Sequence, residues 1–254
     1  MKRAVKLLGF SLILAAVAHA QLKDDSCRVY SGTLGESTGI GMLLHMKSKA
    51  LGGAYFYRKY LKDIPLKGNP TGDRDITLEE TDASGRVTGT FHLQLAEHDP
   101  QYSSTEVLRG EVLKGTWKSA DGAKTYPVSL RLDHECTKPS GREYEVAGAK
   151  DDALVERNAQ AFYAATIEGK REEVAKYVSY PCTFFQDGKR VSVKTDAEFL
   201  RHYDAIFTKA FVARIAGGVP HHMFVNYQGI MIADGAVWFD ENGKARNFNN
   251  SPTS

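Results

Sequence analysis

The chain is poor in cysteine. Three cysteines in 254 residues are too few for a small disulfide-dense scaffold, so hydrophobic cores must supply most of the stability. The signatures of several chemistries are also missing. There is no Gly-rich phosphate loop, no His-Glu-x-x-His and no local cysteine-protease motif. An enzyme is not excluded by this, because a site can be assembled from distant residues. A basic surplus is lacking too. Lys plus Arg number 33 and Asp plus Glu 31, and residues 1–20 hold three of the basic residues and none of the acidic ones, which leaves 30 against 31. Such a balance releases few counterions from a nucleic acid, and no Lys/Arg block offers a membrane-surface patch. We expect no nucleic-acid partner and no cofactor.

What is present begins with a secretory signal. Lys2, Arg3 and Lys6 form a positive start, and "LLGFSLILAAVA" is an apolar core too short to span a bilayer comfortably. Ala18-His19-Ala20 supplies small residues where a signal peptidase reads, so residues 1–20 read as a signal peptide cleaved before Gln21. Cys27 lies in "KDDSC" without a lipobox, so no lipid anchor and no membrane span are expected after cleavage. The short form of the signal suits a bacterium, hence a periplasmic or secreted protein.

The mature chain divides in two. Residues 21–137 carry glycine turns and alternating apolar positions, residues 138–150 read as a linker, and residues 151–254 carry helical periodicity followed by aromatic strands. The first part predicts an antiparallel β-barrel of about eight strands. Its strands are "CRVYSGTLG", "IGMLLHMKS", "GAYFYRKY", "IPLKGNP", "DITLEETD", "RVTGTFHLQLAE", "VLRGEVLKGTWKS" and "TYPVSLRLD". Turns are expected at Gly52-Gly53, Asn69 to Gly72, Asp82 to Gly85 and Asp121-Gly122. Val87, Gly89, Phe91, Leu93 and Leu95 share one face of a strand, and Gly89, Gly110 and Gly115 suit the bends of a small barrel. The size is similar to a lipocalin or avidin barrel, and Gly115 to Lys118 resembles their Gly-x-Trp. That motif opens those barrels and here lies near the end, so no ligand site is carried over.

Cys27 starts the barrel and Cys136 ends it. In an oxidising compartment a bridge between them would close a loop of about 110 residues, worth about 4–5 kcal/mol in the chain-entropy model. The other pairings, Cys27–Cys182 and Cys136–Cys182, would cross the domain boundary. Cys182 follows Pro181 and precedes "TFF", which favours a buried small hydrophobe over a nucleophile.

The second part opens with a helix in which Leu154 or Val155, Ala159, Phe162 and Thr166 share a face, capped by Asp151 or Asp152 and ended by Gly169. "REEVAKYV" is a second, short helix. A hairpin turns at Asp187-Gly188, and "TDAEFLRHYDAIFTKAF" is a third helix with Thr195 or Asp196 as cap and Glu198 placed for a capping box. Three strands close the chain, joined at Asp234-Gly235 and Asn242-Gly243. This order, with "VSYPCTFF", "FLRHYDAIF", "GIMIADGAVWF" and "ARNFNN", resembles secreted bacterial members of the nuclear-transport-factor-two and SnoaL-like superfamily. The resemblance covers roughly residues 150–250 and implies a curved sheet wrapped as a cone around about three helices. It leaves function open, because one fold hosts many functions. The fold class expected for the whole chain is α+β in two domains.

Candidate binding residues are Tyr180, His202, Tyr203, Asp204, His221, His222 and Tyr227. His202 and Asp204 lie two apart on a helix and do not share a face, so they make a poor dyad. A carboxylate base with acidic donors could converge in a cone, with Tyr163, Tyr180, Tyr203, Tyr227 and Asp187 as members, but Asp187 suits its turn and the tyrosines suit packing. His221 and His222, if extended, point to opposite faces and cannot share a metal. His134-Glu135-Cys136 offers ligand types without a second cluster, so no metal site is expected. Phe162, Phe199, Tyr203, Ile206, Phe207, Trp238 and Phe248 are expected to fill the cone, and "PHHMFVNYQ", Pro220 to Gln228, to present an outer surface. Two functional classes follow. One is a non-catalytic binding protein, an inhibitor or immunity partner of an envelope-acting enzyme, whose partner is another protein of the cell envelope. The other is a carrier or enzyme for a small apolar ligand held in the cone.

Overall fold

The computed structural model describes residues 26–72, 74–96, 111–136 and 142–251. The signal segment, Gly110 and residues 137–141 lie outside them.

Eight strands form a closed antiparallel barrel in simple up-and-down order: β1 (Cys27–Leu34), β2 (Thr38–Lys47), β3 (Ala50–Tyr57), β4 (Ile64–Pro70), β5 (Asp75–Thr81), β6 (Val87–Ala96), β7 (Val112–Ser119) and β8 (Thr125–Glu135). Strand β8 pairs back onto β1, from Arg28 opposite Glu135 to Leu34 opposite Val128, so the sheet has no open edge. Alternation explains the filling. Phe91, Leu93 and Leu95 of β6 point inward and are buried, as are Ile40, Met42 and Leu44 of β2. The disulfide Cys27–Cys136 joins the first strand to the residue just after the last, and the Cys136 N–H donates to the Cys27 carbonyl.

One expected turn is corrected. Gly52 and Gly53 lie inside β3, and the chain reverses instead at Ser48-Lys49, both at positive φ. Gly53 is required by the bend itself. Its φ is 149°, and an added Cβ would lie 1.9 Å from the Leu43 carbonyl oxygen.

The barrel interior holds two buried carboxylates, each supplied with donors. Glu80 accepts from Tyr55 Oη (2.8 Å), Trp117 Nε1 (2.8 Å) and Thr88 Oγ1 (2.6 Å). Glu111 accepts from Arg28 Nη1 at 2.6 and 2.7 Å and from Tyr30 Oη at 2.5 Å. Buried charges persist when paired and hydrogen-bonded in this way.

The C-terminal domain contains helices α1 (Asp152–Ile167), α2 (Arg171–Lys176), α3 (Asp196–Ile206) and α4 (Lys209–Gly217). Its strands are β9 (Val178–Gln186), β10 (Lys189–Val193), β11 (Phe224–Asn226), β12 (Gly229–Ile232), β13 (Val237–Phe239) and β14 (Ala245–Phe248). They form one curved sheet in the order β10-β9-β14-β13-β12-β11, parallel only between β14 and β9. Val155, Ala159, Phe162 and Thr166 are the buried face of α1, and Asp151 accepts from the Leu154 N–H as its cap. Asp187 and Gly188 both take positive φ in the β9–β10 turn.

Two boundaries differ from the sequence reading. The single helix expected over 195–211 is broken at Phe207, and Thr208 accepts from the Phe211 N–H to start α4. The closing segment has four strands, because Tyr227-Gln228 makes a further turn between β11 and β12. The second half of the expected linker is also ordered structure. Tyr144 is fully buried, residues Glu145–Ala147 form a 3-10 turn, and the Asp152 carboxylate accepts from the N–H groups of Glu143 and Tyr144.

Candidate functional site

The interior of the C-terminal domain is packed. The rings of Phe162, Phe199, Phe207, Phe239 and Phe248 meet with centroids 5.6–6.4 Å apart, and Tyr203 lies 4.6 Å from Phe207. Of the residues expected inside, only Trp238 is merely half-buried.

The sequence-derived candidates do not converge there. Tyr203 points into the core beside Phe199, while Asp204 is exposed and accepts from Arg171 at 2.6 and 3.0 Å. His202 packs its ring on Phe184 at 5.3 Å, so it forms no dyad with Asp204. Tyr180 packs edge-on to Phe199. Tyr227 is 83% exposed at the tip of the β11–β12 turn. Cys182 is fully buried, and burial pushes its thiol up to about 12, which removes the thiolate a nucleophile needs. A depression of about 640 Å³ near the β9–β10 turn has Asp187 and Arg214 as its charged groups. Arg214 is engaged with the Asn249 and Asp234 carbonyls, so no acid–base pair meets there.

His221 and His222 are the exception, and they overturn two expectations. They are not on an outer surface: His222 is buried and His221 largely so, where the barrel meets the C-terminal domain. They do not point apart either. His222 sits at φ 47°, which breaks the extended geometry and brings the two rings to 4.2 Å between centroids. His221 Nε2 and His222 Nε2 lie 3.0 and 3.1 Å from the same oxygen, Oδ1 of Asp63, in the β3–β4 loop.

Each histidine has a carboxylate at its other nitrogen. His221 Nδ1 is 2.8 Å from Glu156 Oε2, and His222 Nδ1 is 3.0 Å from Glu143 Oε2. Glu156 is itself held by Tyr144 Oη, by Gln160 Nε2 and by the His222 N–H. Phe56 closes the apolar side, edge-on to His221 at 4.6 Å. Burial lowers both imidazole pKa values, but the hydrogen bonds to carboxylates outweigh it, raising His221 to about 9 and His222 to about 10. Burial opposes ionisation of Asp63 as well, yet the two imidazoles hold its carboxyl well below the usual range. Asp63, His221 and His222 each present one ligand atom within 4.8 Å of the others, so the geometric ground for excluding a shared cation is removed.

The cluster borders a cleft of about 930 Å³ between the domains. Val29, His134 and Leu132 line its barrel wall, and Met223, Phe224 and Met231 the opposite wall. Arg58 crosses the junction and donates to the Gly217 and Gly218 carbonyls at the end of α4. Within the cleft wall, burial holds the His134 pKa below its ordinary value, and its Nε2 is buried with no hydrogen-bond partner among the described residues. Compared with known proteins, the chain matches no family model and no curated protein.

Proposed function

We propose that this is a secreted or periplasmic, non-catalytic binding protein, and that it holds a segment of an envelope protein in the cleft between its two domains. The observation that carries the reading is the contrast between interior and junction. The aromatic core of the C-terminal domain leaves no room beside Phe162 and Phe207 for converging acid and base, whereas the junction offers a cleft of about 930 Å³ lined by apolar and charged side chains together. A mixed lining of Phe, Met, His and Arg has the composition of protein-recognition surfaces. The sequence motifs quoted above, together with a six-stranded curved sheet over helices, support placing the C-terminal domain in the SnoaL-like superfamily. An inhibitor or immunity partner of an envelope enzyme is the form of binding protein that fits best.

The test compares the mature protein with its Phe224→Lys and Met231→Glu variants as baits for envelope extract, with captured proteins identified by mass spectrometry. A partner held by the parent, and lost by both variants at unchanged melting temperature, is the expected result. A partner retained equally by both variants removes the cleft from the binding surface. Turnover of a small molecule abolished by Tyr203→Phe would replace the reading with an enzyme.

A further inference from the structure

We infer that Asp63, His221 and His222 form a binding site for a divalent first-row transition metal, with Zn²⁺ as its simplest occupant, that joins the barrel to the C-terminal domain. The ligand atoms are two imidazole Nε2 and one carboxylate oxygen. They converge from residues 158 and 159 positions apart in the chain. Nε2-to-Oδ1 separations of 3.0 and 3.1 Å need open by only a few tenths of an ångström to take one tetrahedral cation, whose bonds of about 2.0–2.2 Å place neighbouring ligands about 3.3–3.6 Å apart.

Two further observations point to a cation rather than to a hydrogen-bonded cluster alone. First, both histidines turn the nitrogen that does not face Asp63 to a carboxylate, Glu156 or Glu143. This is the outer shell that fixes tautomer and ring direction at metal-bound imidazoles. Second, the pair is brought to one side by a positive φ at His222, a conformation that side chains rarely adopt and that the surrounding contacts must hold. On binding, the cation takes the Nε2 lone pair of each histidine, and any proton there leaves to solvent. Imidazole nitrogen favours a transition metal over Ca²⁺ or Mg²⁺. Asp63 is 41% exposed, which gives the cation a route in and room for a water as a fourth ligand.

The experiment uses the full mature protein, stripped with chelator and dialysed. Titration with ZnCl₂ by calorimetry is expected to show one site per chain, and Co²⁺ to give the intense visible absorption of a four-coordinate complex with nitrogen and oxygen ligands. Asp63→Asn keeps shape in an exposed loop and should weaken Zn²⁺ binding at least tenfold. His222→Gln should abolish the Co²⁺ spectrum. Zn²⁺ should raise the melting temperature of the parent and leave that of Asp63→Asn nearly unchanged. Absence of a stoichiometric site in the parent overturns the inference, as does a Zn²⁺ affinity that Asp63→Asn leaves intact. Should His222→Gln fail to fold, the Asp63→Asn titration decides alone.

Discussion

Truncating Phe162 distinguishes a filled core from a ligand pocket. Its ring is fully buried, 5.6 Å from Phe239, 6.1 Å from Phe248 and 6.4 Å from Phe207. An aromatic side chain of this kind removes about 150–250 Å² from water, which at about 25 cal/mol/Å² is about 4–6 kcal/mol. Part of that is recovered by relaxation, and Phe→Ala in packed cores costs about 3–5 kcal/mol. A residue lining an open pocket would already be half in water and would lose about half as much, about 2 kcal/mol. The chain has two tryptophans, and they report separately: Trp117 lies in β7 of the barrel and Trp238 in β13 of the C-terminal domain. Urea unfolding of Phe162→Ala should therefore be followed in Trp117→Phe and Trp238→Phe backgrounds. With a denaturant slope of about 2 kcal/mol/M, the Trp238 midpoint should fall by about 2 M. The Trp117 midpoint should stay in place. A loss of about 2 kcal/mol or less would refute the filled core and reopen the cone as a ligand site. Equal shifts at both tryptophans would refute separate cooperative units.

Glu80→Ala leaves the Tyr55 and Trp117 donors without their carboxylate and takes the nearer of two acceptors from Thr88, and should cost about 3–5 kcal/mol in the Trp117 transition. The Cys27→Ser/Cys136→Ser double variant opens a closure of 109 residues and should lower barrel stability by about 4–5 kcal/mol, read in the same transition. Cys182 should resist iodoacetamide at pH 8 in the native protein and label fully in urea. Because burial raises its pKa to about 12, the native thiol keeps its proton as pH rises to 10, so labelling should not accelerate as a free thiol's does. Rapid native labelling would revive the nucleophile reading.

Much of the fold is legible in the sequence because the barrel is built from period-two alternation. Each strand buries one face, and a one-residue slip would put Phe91 or Leu93 in water, so pattern and register are tied. The Cys27–Cys136 pairing follows from the same division, since the two cysteines flank the first and last strands. The errors fall where composition and conformation part. Gly52-Gly53 looks like a turn, but Ser48 and Lys49 take the positive φ values of 52° and 64°, and the glycines serve the barrel's curvature. The apolar stripe of α3 runs on through Phe207 and Phe211, so hydrophobic spacing alone joins α3 to α4. Only Thr208, read as an N-cap, marks the break.

The site was much less legible, for a reason of distance. The sequence points to His221 and His222 but not to Asp63, Glu143 or Glu156, and no local pattern links a β3–β4 loop to residues 158 and 159 positions further on. The rule that adjacent side chains diverge holds for extended backbone. It fails here because the pair follows Gly217-Gly218 and Pro220, a composition that signals a turn and could have warned against the extended reading.

The junction also sets the cleft beside it. Phe56, Arg58 and Asp63 come from one corner of the barrel, and all of them reach one stretch of the C-terminal domain, residues 217–222. Phe56, Arg58, His221 and His222 line the cleft as well as the contact. The cleft's width is therefore fixed by the same few groups that hold the domains together. Arg58 donates to carbonyls at the end of a helix, where a cation is favoured, and Asp63 meets two imidazolium groups, so each side offers charge that the other neutralises. A chain with two self-contained cores has no need of a buried charge cluster for stability, and such clusters cost desolvation wherever they occur. What this cluster does in the structure is hold Asp63 of the barrel against His221 and His222 of the C-terminal domain, and with them one relative position of the two cleft walls.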